Sequence, residues 1–478
     1  MSFAALEIGR KALMAQKFGL DVTSNNIANV NTEGYSRRSV VLNQTNPIST
    51  QGQFKGTGVI SNKLKTYRED FFDREIRDTF SRRFGLESDG QIYQRLETIM
   101  MEPSEENIND NITNFFKAFD EMALKPESVG LRENLIEIGR GVVDKFNYIS
   151  QQMMDAKRDI AKDIYFSVDR ANSLIGEIAG YNGAFSANRS LASNESITMI
   201  DEREKIIEDL AKIGDVKITN NEDGTVNVYM NGINLVTKDQ SNFLSVQENV
   251  DEQSGEITFS LALVDKKGNV LSNVKPNSGE LSSMLLHYNK TLDASDSSGE
   301  FSLYGRLNDY ATAFVENVNS ISQRGFGLDD KTNVVPGRKI FEIEKANGLV
   351  QMTLSKDIDG RPRDIPLASA PSEPGDGTIA REIARLADIP DFIGLDSFTE
   401  YYAAMIGKLG AISQESNNML SNISLVSEQL ESQRESIIGV NLDEEAINLM
   451  KYQKAFEAAA RVITSTSEML STVINLGR

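Results

Sequence analysis

Two helix-breaker-free ends enclose the rest of this chain. All ten prolines lie between Pro47 and Pro390, so residues 1–46 and 391–478 contain none. Both ends also carry apolar side chains at seven-residue spacing. Leu6, Leu13, Leu20 and Ile27 form the first series; Leu442, Leu449, Phe456, Ile463 and Leu470 form the second. A row that narrow cannot bury itself, and the economical solution pairs the N- and C-terminal helices as a coiled coil. The outer surface of such a coil then needs neighbouring subunits to cover it. A mild charge difference agrees: residues 1–50 hold five basic and three acidic side chains, and 431–478 hold five and seven.

Between the ends the periodicity predicts two long helices. The steps of three and four from Leu131 to Ile178 give one helix of about 48 residues, spanning roughly 70 Å. A second seam comprises Phe398, Tyr402, Met405, Leu409, Ile412, Met419, Ile423, Val426, Leu430 and Ile437, with Ser416 and Gln433 in two seam positions. Two such helices are expected to pack side by side in a rod-like bundle. Gly439 ends the second helix. Asn441 then serves as an N-cap, with Glu444 placed to complete a capping box.

Strand patterns interrupt this helical frame. Residues 216–236 alternate around the turn signals Asp223-Gly224 and Asn231-Gly232, and 257–271 alternate around Gly268-Asn269. A further pair, 338–354, turns at Asn347-Gly348, while 279–292 and 301–323 read as helices. The expected fold is therefore mainly α with a β-rich inserted domain, elongated and multidomain. Residues 1–50 with 438–478 form the terminal assembly domain. A helical rod comprises 51–210 with 279–325 and 391–437, a β-rich outer domain 211–278, and a small β/loop module 326–390. A length of 478 residues suits about three domains.

Composition excludes several function classes. A net charge of −20 is the wrong sign for a phosphate footprint, so nucleic acid is not an expected partner. No apolar run approaches membrane-spanning length, so no membrane is expected as a partner either. The amphipathic start MSFAALEIGRKALMAQ lacks the core and cleavage site of a signal peptide. The absence of Cys removes disulfides, thiol catalysis and thiolate metal sites.

Nothing in the chain has the pattern of a catalytic, cofactor or metal site. His287, the single histidine, reads as a helix-surface or half-buried side chain; one His cannot build a multi-His metal site. The acidic groups Asp293–Asp296, Asp329-Asp330 and Asp357–Gly360 lack the spacing and closing Glu of a calcium loop, and read as solvated turns. The GTG at 56–58 lacks the downstream Gly-Lys of a phosphate loop. Glu444-Glu445 reads as a first-turn pair that complements the helix dipole. A structural subunit is expected, with no catalytic residue, cofactor or metal; a carboxylate hydrolase and a coiled-coil adhesin are the weaker alternatives.

One segment resembles a known family. Residues 25–35, NNIANVNTEGY, are similar to the N-terminal motif of bacterial flagellar rod, hook and hook-associated proteins; Asn26, Asn29, Gly34 and Tyr35 stand where its sharp turn follows the helix. Residues 56–77, 96–136 and 197–219 resemble the hook-associated protein 1 (FlgK) family, the hook–filament junction proteins. Residues 439–476 resemble the C-terminal helix shared by the axial proteins. The resemblance implies a ring of copies (self-association) between the flagellar hook protein and a second junction protein. It also implies an export chaperone on the C-terminal helix. Localisation would be extracellular, in the flagellum, after export by the type III secretion apparatus without a cleaved signal peptide. Another axial protein, whether hook, second junction protein or flagellin-like, is the alternative within this class.

Overall fold

The structure is a computed structural model, and it describes residues 2–32, 34–50, 53–101, 107–187, 194–251, 255–294, 301–332, 334–346, 349–388 and 397–476. The Asn347-Gly348 turn, and Asp296 of the first acidic group, lie outside the described residues.

Helix α1 (Ser2–Ala28) leads into a ribbon of β1 (Arg38–Gln44), β2 (Ile48–Thr50), β3 (Gln53–Lys55) and β4 (Val59–Thr66), in which β1 pairs antiparallel with β4. Helices α2 (Asp70–Met101), α3 (Ile108–Leu124), α4 (Val129–Ala187) and α5 (Asn194–Ile213) follow. Next comes an antiparallel sheet in sequential order: β5 (Val216–Asn220), β6 (Val226–Met230), β7 (Ile233–Thr237) and β8 (Gln240–Ser241). A second sheet places β10 (Ile257–Val264) between β9 (Phe243–Val250) and β11 (Val270–Val274). After α6 (Glu280–Leu286), a π-helical turn and α7 (Leu303–Ser322) comes the hairpin β12 (Phe341–Ala346)–β13 (Leu349–Leu354). Short α8 (Thr378–Ala384) and long α9 (Phe398–Ile438) and α10 (Leu442–Leu476) complete the chain.

Local chemistry explains the turns. Asn231 and Gly232 both have positive φ, 44° and 78°, as the tight hairpin between β6 and β7 demands. Asp223 accepts hydrogen bonds from the Thr225 backbone N–H at 3.1 Å and hydroxyl at 2.6 Å, closing the preceding turn. Ser397 and Glu400 form a reciprocal capping box that starts α9.

Helix α4 has 59 residues and is about 90 Å long, well past the expected 131–178. It continues through Gly176, Gly180 and Gly183 because Ile178, Ala179, Asn182 and Phe185 are buried beyond them. Burial of such side chains, worth roughly 1.5–3 kcal/mol for a large apolar group, exceeds the roughly 1 kcal/mol that each helical Gly costs.

The two long helices are not each other's partners, contrary to the side-by-side bundle expected. α9 lies along α2, whereas α4 packs on α3 and α5. The expected seam of α9 also holds only in its first part. Phe398, Tyr402, Met405 and Leu409 are buried; further on, Ser416 is the one seam position buried, beside Ser413, Ser427 and Ile438, while Ile412, Ile423, Leu430 and Ile437 are half-buried. Met419 and Val426 remain 48% and 45% exposed. Small hydroxyl side chains let α2 approach closely: a Cβ on Gly90 would lie 3.3 Å from Asn417 Oδ1. Period alone cannot tell that serine row from a solvent face.

The core centres on an aromatic cluster shared by α3, α7, β12 and α9. Phe115 lies 5.5 Å from Phe314 and 5.3 Å from Phe341, ring to ring, and Phe116 lies 5.4 Å from Phe398. His287 is fully buried, which corrects its expected place on or near the surface. Its Nε2 is 3.0 Å from Asp89 Oδ1 and its Nδ1 3.0 Å from Thr291 Oγ1, with the Tyr93 ring edge-on at 4.7 Å. Other acidic groups are held by arginines: Asp329 by Arg363, Asp330 by Arg338 and Asp359 by Arg140.

Candidate assembly site

α1 and α10 run antiparallel: Asn26 meets Glu445, Gly19 meets the Tyr452 ring, and Gly9 meets Ile463. Two glycines set their separation. A Cβ on Gly19 would lie 2.6 Å from Tyr452 Cε1, and one on Gly9 would lie 2.8 Å from Ile463 Cγ1. The penalty of helical Gly is thus offset by close contact with a ring and a branched side chain.

Ile463 apart, the leucine series do not supply the closest contacts of the pair. Leu6, Leu13, Leu20, Ile27, Leu449, Phe456, Ile463 and Leu470 are each half-buried, and Leu442 is exposed. The best-buried positions are small or polar: Ala15, Val22, Thr23 and Asn26 on α1, and Glu445, Ala459 and Thr466 on α10. On the far side of α10, Ile447, Met450, Val462, Met469 and Val473 are all at least half exposed. They recur at steps compatible with one helix face and make a second apolar stripe on the same helix.

A buried polar junction joins the terminal pair to the rest of the chain. Asn26 is 1% exposed, and its Nδ2 donates to Glu445 Oε2 at 3.1 Å and to the Arg38 carbonyl at 2.8 Å. Its Oδ1 accepts from the Tyr35 hydroxyl at 2.8 Å and the Arg38 backbone N–H at 3.2 Å. One amide therefore uses both ends to fix helix, turn and strand. Asn29 donates to the Asn25 carbonyl at 2.9 Å, and Gly34 turns the chain at φ 79°. Few residues other than Gly adopt that angle without strain.

Arginines carry the junction outward. Arg37 pairs with Glu444 at 2.7 Å and Glu445 at 2.9 Å, while its backbone N–H donates to the Ile438 carbonyl at 2.9 Å. Arg38 reaches Asp201 on α5 at 3.2 Å, and Arg68 bridges Asp201 and Asp73. Burial works against the charge on Arg37, yet Glu444 and Glu445 raise its pKa overall. Burial likewise opposes Arg68, and Glu204, Asp73 and Asp201 outweigh it. Near the end of α9 burial dominates instead: it pushes the Glu208 carboxyl up despite Arg434 beside it.

Two expectations change here. Asn441 does cap α10, accepting the backbone N–H of Asp443 at 2.9 Å and of Glu444 at 3.3 Å. The Glu444 side chain, however, turns to Arg37 instead of completing a capping box. Glu445 is more than a dipole complement, being 2% exposed and bound to Asn26 and Arg37. Sequence reading missed Arg37, Arg38, Asp201 and Glu445. The available signal was the pair Arg37-Arg38 directly after the Asn/Gly turn, in an acidic chain. The junction positions backbone elements. Among the described residues no three His, Asp or Glu side chains are arranged to hold a metal ion, and no helix is long and apolar enough to cross a membrane.

Residues 93–341, just over half of the chain, match the family profile of the flagellar hook-associated protein FlgK helical domain. The chain belongs to the FlgK family. The ends match broader flagellar profiles: residues 6–35 the flagella basal body rod protein, and 432–476 the C-terminal region of the basal body rod FlgEFG proteins. Among FlgK relatives, the flagellar hook-associated protein 1 of Bacillus subtilis (strain 168) is 25% identical, aligned over 99% of this chain and 98% of its own. Its namesake from Salmonella typhimurium is 22% identical over 97% and 98%. The flagellar hook junction protein FlgK from Burkholderia pseudomallei shares the fold, with a TM-score of 0.64 at 12% identity, covering 76% of this chain and all of that one. FlgK-family membership makes the protein a structural component of the bacterial flagellum.

Proposed function

We propose that this protein is the subunit of the junction between the flagellar hook and filament, assembled as a ring of copies through its paired ends. The observation that carries the reading is the α1–α10 pair with a second, uncovered apolar stripe on α10. An isolated subunit gains nothing from exposing Ile447, Met450, Val462, Met469 and Val473, whereas a packed ring would bury them. The relatives named hook-associated protein 1 align end to end with the chain, which supports placing it at the same junction.

The residues assigned to assembly are Leu6, Leu13, Leu20, Asn26, Ile27, Asn29, Gly34 and Tyr35 with Leu442, Leu449, Phe456, Ile463 and Leu470. Partners on this reading are further copies, the hook protein, the second junction protein and an export chaperone that covers α10 before assembly. The chain would leave the cell through the flagellar type III secretion apparatus. Complementation tests the proposal. Cells deleted for the gene should carry bare hooks and shed filament subunits into the medium. Restoring the gene should return filaments; intact filaments on the deleted cells would overturn the proposal.

A further inference from the structure

A lysine is buried in the middle of α4, against a pair of carboxyls and an aromatic stack. Lys157 is 8% exposed, and its Nζ lies 3.0 Å from Oε1 of Glu256, the residue just before β10. The same nitrogen stands 5.0 Å from the centre of the Tyr288 ring, which stacks on Phe259 at 4.1 Å. Water is largely kept out. The Lys157 and Glu256 side chains are each 10% exposed, and burial pushes the Tyr288 pKa up to about 12.

An ion pair needs one carboxylate, and here a second carboxyl is attached to it. The Asp293 side chain hydrogen-bonds to Glu256, and the Ala294 backbone N–H donates to Glu256 Oε1 at 2.9 Å. Two carboxyls joined in this way hold a proton between them. Burial raises the Glu256 pKa, but the bonds from Asp293 and Ala294, with Lys157, outweigh it. Glu256 is therefore the ionised member, and Asp293 keeps the proton. A buried amine is a nucleophile, and the carbon it would attack is one bond beyond the oxygen it touches. Asp293 is a proton carrier in place, and the Ala294 N–H is a donor on the oxygen where charge would develop. These are the parts of an amide-forming site.

We propose that Lys157 and Glu256 condense to an intramolecular isopeptide bond, with Asp293 carrying the proton. Proton transfer within the trio leaves Glu256 as the acid and Lys157 as the free amine. Nζ attacks Cδ, Asp293 protonates the departing hydroxyl, and it takes a proton from Nζ in exchange. A C–N bond replaces a C–O bond, one water leaves, and Asp293 ends as it began. Ammonium and carboxylate thus become amide and water, with no oxidant or cofactor. The product ties α4 to the sheet of β9, β10 and β11. Otherwise hydrogen bonds hold that sheet to α4, among them Tyr165 to Glu248 at 2.6 Å and Asn172 to the Leu244 carbonyl at 2.9 Å. The chain has no Cys, so a disulfide cannot make the tie.

Peptide mapping of the folded full-length chain tests the bond. After denaturation and trypsin, one branched peptide should join Lys157 to Glu256, about 18 Da lighter than the two separate peptides together, with no cleavage after Lys157. Lys157→Arg keeps a cation beside Glu256 but has no amine to acylate, so the branched peptide should vanish while thermal melting still shows a folded chain. Asp293→Asn should lower the branched fraction about tenfold or more. A folded wild-type chain that yields only the separate Lys157 and Glu256 peptides would overturn the proposal and leave an ordinary ion pair, whatever the variants do. A branched fraction untouched by Asp293→Asn would overturn the role given to Asp293.

Discussion

Asn26 and Glu445 lie 419 residues apart in the chain and 3.1 Å apart in space. The amide–carboxylate bond between them, buried and extended through Arg37, ties the end of the first helix to the start of the last.

Removing that carboxylate should loosen both ends together. Glu445→Ala leaves Arg37 and Asn26 short of a buried partner, at a cost of about 2–4 kcal/mol. Hydrogen exchange should speed up in α1 and the first turns of α10 alike. Glu444→Ala is the reference, since the Glu444 side chain is 58% exposed and its pair is correspondingly weak. Equal effects of the two substitutions would remove Glu445 from its assigned role.

The contact of Ile463 with Gly9 offers a test of assembly. Ile463→Asp replaces the apolar contact with Gly9 by a half-buried carboxylate and costs about 1–3 kcal/mol in each copy. Filaments should fail to join the hook although the rest of the chain melts normally. Gln453→Asp, on the exposed polar flank of α10, should behave as wild type. Lys454 would be a poor control, because it stands in line with the exposed apolar stripe. Normal filaments with Ile463→Asp would refute the contact's importance.

Arg132 is an unusual structural residue, 1% exposed, with its pKa lowered by burial to about 10. It donates to the carbonyls of Pro126 at 2.7 Å, Ile365 at 2.8 Å and Pro362 at 3.3 Å. Arg132→Met keeps the bulk but strands those carbonyls, for a loss of about 3 kcal/mol. Proteolysis near residues 362–366 should accelerate; an unchanged melting temperature would show that the bonds are replaceable by water.

Acid stability should carry the mark of Asp376. Burial raises its pKa, but backbone and hydroxyl bonds from Ser369 and Thr378 outweigh that and hold it at about 2. The folded pKa is therefore below the unfolded one. The stabilisation is present above about pH 4 and disappears as pH falls towards 2. For so exposed a site the expected amount is about 1 kcal/mol. Asp376→Asn should flatten this part of the pH–stability curve; an unaltered curve would contradict the assignment.

What could be read from the sequence was chemistry confined to a few neighbouring residues. The Asn231-Gly232 hairpin, the Asn441 cap and the end of α9 before Gly439 all depend on backbone angles and bonds within one turn. Gly439 illustrates this, since a Cβ there would press into the Glu435 carbonyl oxygen. Choice of partner was less legible. Ser413, Ser416 and Ser427 have no apolar signature, yet they form the face that meets α2. Leucine spacing drew attention to Leu13 and Leu20, while Gly9 and Gly19, which set the interhelical distance, carry no hydrophobic signal. At the candidate site the turn residues were readable, but Asp201 and Glu445 become meaningful only when distant segments meet Arg37 and Arg38.

The pairing of α1 with α10 also dictates an order of events in time. Closing a loop of more than four hundred residues around one helix pair carries a large entropic cost unless the intervening chain is already compact. Local hairpins and the neighbouring helices α3 and α4 can form early, whereas the first helix must wait for the last residues to arrive. Until then both ends remain without each other, and whatever meets them first competes with their own reunion.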